Sequence, residues 1–111
     1  MRIESLLIIL ALISIPLLSG CVETESETDA EKATLACMNE CRIWLNADKE
    51  LSKGPCLLNP ITDIPDWVCD IAHSPRQDVD NDPNNQCSAF REGRAHHFVE
   101  VDENCELIRA V

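Results

Sequence analysis

The run Asp78-Val79-Asp80-Asn81-Asp82 sets three carboxylates two residues apart. Hard cations such as Ca²⁺ take several oxygens from one tight loop, and this spacing offers them. The run departs from the EF-hand pattern, with Pro83 where that loop needs glycine and Ala89 where it needs glutamate. Asp78, Asp80 and Asp82 are therefore candidate calcium ligands by another geometry. His73, His96 and His97 are a second set, because imidazole with a thiolate or carboxylate holds zinc. Neighbouring residues of a strand face opposite ways, so His96 and His97 are expected to give only one ligand to a shared site. The third chemistry is that of thiols. The chain has seven cysteines, at 21, 37, 41, 56, 69, 87 and 105. No C-x-x-C redox pair is among them, and Cys37-x₃-Cys41 is the nearest thing to one. The chain shows no nucleophile elbow around His73-Ser74, and its three glycines form no phosphate-binding loop.

An odd cysteine count in an exported protein leaves one thiol to explain. Residues 6–18, LLIILALISIPLL, form an apolar run too short for a membrane span, which needs about 20 residues, and suited to a signal-peptide core. The run ends in Leu18-Ser19-Gly20-Cys21. An apolar residue, two small residues and a cysteine resemble the lipobox of prokaryotic lipoprotein signal peptides. The resemblance covers about the first 21 residues. It implies a thioether-linked lipid on Cys21, cleavage before it, and a protein held at the cell membrane on the extracytoplasmic side. A single acyl chain holds only marginally, at about 0.8 kcal/mol per buried CH₂, and two hold stably. With Cys21 lipidated, Cys37, Cys41, Cys56, Cys69, Cys87 and Cys105 remain, an even set suited to three disulfides in an oxidising compartment.

The net charge of −11 comes from 20 acidic and 9 basic residues. Residues 22–31 carry five acids and no base. A chain this acidic repels phosphate backbones, which argues against nucleic acid as a partner. Residues 22–29, VETESETD, have too little apolar content for a core, and their like charges extend them. They read as a tether reaching about 28 Å at about 3.5 Å per residue. The organisation expected is a signal peptide over 1–20, a lipidated cysteine and acidic tether over 21–29, and a small stapled domain over 30–111.

These residues need elements to position them. Thr28 and Glu31 fit a capping box that starts a helix, and Gly54-Pro55 is expected to end it near Lys53. Ala30, Ala33, Cys37, Cys41, Trp44 and Leu51 fall on one helical stripe, interrupted by Asp48. Residues 54–66 read as an extended loop through Cys56. Alternation predicts a strand over residues 67–72, and a hairpin from residues 95–101 and 105–111 around Asp102-Glu103-Asn104. The expected fold is α+β: one long N-terminal helix on a small antiparallel sheet of about three strands, disulfide-rich. Side chains at i and i+4 point the same way, so Cys37 and Cys41 are expected to bridge to the sheet, with Cys69 and Cys105 the first candidates and Cys56–Cys87 following. Any function is expected on the long segment from His73 to His97. That segment gathers His73, Arg76, Arg91 and Arg94 with the three aspartates, a surface for an envelope protein or a small polar ligand. The function expected is a non-catalytic, lipid-anchored binding or structural module; a calcium, zinc or thiol-redox accessory protein is the alternative.

Overall fold

The computed structural model describes residues 26–111, so the lipobox and Cys21 lie outside the described residues. Helix α1 runs Asp29–Asn46. Thr28 caps it by accepting from the Glu31 amide at 3.2 Å, while the Glu31 carboxylate accepts from the Thr28 amide at 3.2 Å. The cap takes in Asp29, which the sequence assigned to the tether.

The helix stops well short of Lys53. Asp48 adopts φ 54°, the Asp48 amide donates to the Leu45 carbonyl at 3.1 Å, and the Lys49 amide donates to the Trp44 carbonyl at 3.1 Å. This is a Schellman ending with aspartate in the left-handed position that glycine usually fills. Asp48 thus breaks the apolar stripe because the helix has already ended. Leu51 is buried, but from the turn that follows.

The sheet has four strands in the order β1-β2-β3-β4: Cys56–Leu58, Trp67–Ile71, His97–Val101 and Leu107–Ala110. It is mixed. β1–β2 and β3–β4 are antiparallel, while β2 and β3 are parallel, with Trp67 opposite His97 and Ile71 opposite Val101. The expectation of about three antiparallel strands fails for two physical reasons. β1 is a three-residue Cys-Leu-Leu run with no alternation to signal it. The polar segment after β2 is the crossover that a parallel pair requires, and parallel strands cannot be joined by a short turn. The crossover carries two 3₁₀ turns, Asp78–Asn81 and Pro83–Asn85, and the short helix α2, Ser88–Arg91.

Each face of the sheet has its own cover. Cys69, Ile71, Val99 and Val101 pack on Ala33, Cys37 and Cys41 of α1 in the main core. Val68 and Phe98, one residue out of step, face the crossover and pack with Cys87, Ala89 and Ala95. Disulfides staple both layers. Cys37–Cys69 ties α1 to β2, Cys41–Cys105 ties α1 to the β3–β4 turn, and Cys56–Cys87 ties β1 to the crossover. They close loops of 32, 64 and 31 residues. In the loop-entropy account each restrains the unfolded chain by about 4 kcal/mol.

Candidate functional site

Strand pleating puts Val68 and Asp70 of β2 on the crossover face, and the parallel register sets Phe98 and Glu100 of β3 directly beside them. Arg109 of β4 lies opposite Glu100. The crossover arches over this row and leaves a pocket of about 350 Å³. Arg76, Gln86, Cys87, Phe90 and Arg91 form its walls.

The apolar part is Val68 with two rings. Phe90 meets Phe98 edge-on, with centroids 5.1 Å apart. The Arg109 guanidinium lies 5.1 Å from the Phe98 centroid on the ring's face. The polar part is ordered around Glu100, which is only 5% exposed. Its Oε1 accepts from Arg76 Nη1 at 3.1 Å and its Oε2 from Arg109 Nε at 2.9 Å. Two guanidiniums thus compensate one buried carboxylate, which would otherwise be costly to bury.

Asp70 has no such arrangement. Among the described residues no side chain or backbone group donates to its Oδ1, which is sealed from solvent. Burial pushes its pKa from the ordinary 3.8 up to about 8, and the neighbouring Glu100 charge adds to the rise. Arg76 and Arg109 pull the other way without cancelling it. At neutral pH Asp70 therefore holds its proton and offers an O–H donor at the pocket floor.

The residues singled out in the sequence divide between three places. Arg76 and Arg91 line the pocket. Arg94 is exposed and pairs with Glu92 at 2.8 Å. His73 sits at the other side of the crossover, between Asp80 at 2.8 Å and Glu103 at 2.7 Å. The hydrogen bond to Asp80 leads the forces that raise the His73 pKa above its usual value.

The aspartate triplet does not form a ligand set. Asp80 is buried and turned inward, where Oδ2 accepts from the amides of His73 and Gln77, each at 2.9 Å. Burial alone would raise its pKa, but these bonds and the His73 ring hold it below the usual range. Asp78 and Asp82 are exposed, and Asp82 caps the second 3₁₀ turn by accepting from the Asn84 amide at 3.0 Å. The three histidines do not converge either. His96 and His97 both reach Asp66, at 2.5 and 3.4 Å, and His97 stacks on Trp67. Their sharing of Asp66 departs from the opposite-facing expectation, because His96 precedes β3 and is not yet in the pleat. Among the described residues no group of three or more His, Cys, Asp or Glu is placed to hold a metal ion. All six described cysteines are bridged, and Cys37 and Cys69 are wholly buried.

Asp70, Glu100, Phe98 and Arg109 were not singled out in the sequence. The available signal was an acid at the fourth position of each of two five-residue, mostly apolar strands, Trp67–Ile71 and His97–Val101. No helix among the described residues is long and apolar enough to cross a membrane. No family model, curated protein or solved structure shows significant similarity to the chain.

Proposed function

We propose that the chain is a lipid-anchored, extracytoplasmic binding module without catalytic activity, and that it takes a small polar ligand in the pocket beneath the crossover. Cys21 supplies the anchor, on the strength of Leu18-Ser19-Gly20-Cys21. Residues 22–27 supply the reach, ahead of the Thr28 cap, and the three disulfides suit an oxidising compartment.

One observation carries the ligand site. A carboxyl oxygen of Asp70 lies buried, and unpartnered among the described residues, beside a concave, partly aromatic pocket. Buried polar atoms in native proteins are nearly always satisfied, and an exception calls for a partner. A pocket with apolar walls and a few convergent polar groups is the usual form of a small-molecule site. Nothing in its lining forms a nucleophile with an adjacent base, so binding is the activity it supports.

The test is a thermal-shift screen of the full chain against small polar compounds, repeated with Arg109→Met. Compounds that stabilise the wild type and not the variant are expected. A screen in which every stabilising compound acts equally on both proteins overturns the pocket as the ligand site. Cell fractionation of Cys21→Ser tests the anchor: release from membranes or an uncut precursor is expected, and unchanged fractionation and migration contradict it.

A further inference from the structure

The pocket carries the opposite charge to the molecule around it. The chain is −11 overall, yet three guanidiniums, Arg76, Arg91 and Arg109, face this one cavity, against Glu100 and Asp70. Glu100 is already engaged by Arg76 and Arg109. The three guanidiniums are not equally engaged. Arg76 gives Nε to Asn81, Nη1 to Glu100 and Nη2 to the Asp80 carbonyl. Arg109 gives only Nε, to Glu100, and among the described residues its two Nη groups donate to no protein atom. Among the described residues Arg91 makes one long contact, Nη1 to the Pro83 carbonyl at 3.4 Å. Spare N–H donors therefore line the cavity from both β4 and α2.

We propose that this pocket binds a small organic carboxylate with an apolar body, an assignment that rests on its being the ligand site. The carboxylate lies against the free Nη fork of Arg109, with Arg91 a second cation in the lining. A planar guanidinium fork matches a carboxylate in two parallel hydrogen bonds. The apolar body lies on Val68, Phe90 and Phe98. Asp70, protonated, donates its O–H to an oxygen of the ligand. An ammonium ligand fits this site worse, since it would meet a surplus of guanidinium charge.

The assignment makes binding pH-dependent. The charged groups acting on Asp70 are Glu100 of β3, Arg109 of β4, and Arg76 and Asp80 of the crossover; Arg91 of α2 also lines the cavity. Once Asp70 ionises, its negative charge opposes the ligand's and its donor is gone. Affinity is therefore full while the ligand is ionised and Asp70 protonated, and falls as pH rises through the Asp70 pKa.

The probes are benzoate, benzyl alcohol and benzylamine, titrated into the full chain in detergent and followed by amide NMR. Benzoate is expected to shift Val68, Phe90 and Phe98 saturably at about pH 6.5 and to bind at least about tenfold more weakly at about pH 9.5. Asp70→Asn, which cannot ionise, is expected to abolish that pH dependence. Arg109→Met is expected to weaken benzoate by about tenfold or more and to weaken benzyl alcohol far less. Saturable shifts from benzylamine or benzyl alcohol without any from benzoate overturn the carboxylate and leave the pocket standing as a ligand site. Silence of these residues toward all three probes overturns both. Benzoate binding that does not change between the two pH values overturns the role of Asp70.

Discussion

Replacing Asp70 with asparagine should make the protein more stable, and the gain should grow with pH. In the unfolded chain Asp70 ionises near 3.8; in the fold it does so near 8. Between those values the unfolded state has released a proton that the folded state still holds. Stability must therefore fall as pH rises across this window, by about 1.4 kcal/mol per pH unit for this one group. Over the whole window the limit is about 6 kcal/mol. Water entering the adjoining cavity will recover part of that, so about half, roughly 3 kcal/mol, is the expected gain at pH 8. Asparagine keeps the shape and never ionises, so near pH 4 the two proteins should be similar. His73 also titrates here. Its raised pKa contributes stability that is present below its unfolded value and lost as pH rises through the folded one. Asp80 acts at the other end, its contribution lost as pH falls through its lowered pKa. Comparing variant with wild type at each pH cancels both. The assay is urea unfolding with disulfides intact, from pH 4 to 9. Stability curves that run parallel across this range would refute the burial argument for Asp70.

Three further changes test the frame that holds the pocket. Gly54 has φ +67°, and a Cβ there would lie 2.7 Å from Asp80 Oδ1 and 3.1 Å from the Ile71 carbonyl. Gly54→Ala should therefore cost more than the roughly 1–2 kcal/mol of left-handed strain alone, read as a lowered urea midpoint. Asp48→Gly should stabilise by about 1 kcal/mol, because it relieves φ 54° and removes an acid from a helix C-terminus; an unchanged midpoint contradicts the Schellman ending. Cys41→Ala opens the longest loop and should cost about 2–5 kcal/mol, measured by calorimetry, whereas a loss below about 1 kcal/mol contradicts a structural bridge to Cys105.

Much of the frame is legible in the residues. The Thr28–Glu31 box and the stripe through Ala33, Cys37 and Cys41 mark α1, because a helix must bury one face. Alternation marks β2, β3 and β4. Alternation does not say which strands are neighbours, so the parallel pairing of β2 with β3 stays hidden, and with it the meeting of Asp70, Glu100 and Arg109. The crossover looks like a polar loop because its turns are short and its apolar contacts few, Ala89 and Ala95 among them. Arg76 and Arg91 stand out for their charge. Asp78, Asp80 and Asp82 stand out for a spacing that suits an open loop; a 3₁₀ turn instead sends Asp80 inward to hold backbone amides.

The most direct measurement follows the Asp70 side-chain carboxyl carbon by NMR as pH is raised, with and without benzoate. A ligand that prefers the protonated carboxyl must raise its pKa, by linkage. The expected result is a midpoint near 8 that moves higher when benzoate is present. A midpoint near the ordinary aspartate value, unmoved by benzoate, would contradict both the buried acid and the pocket built around it.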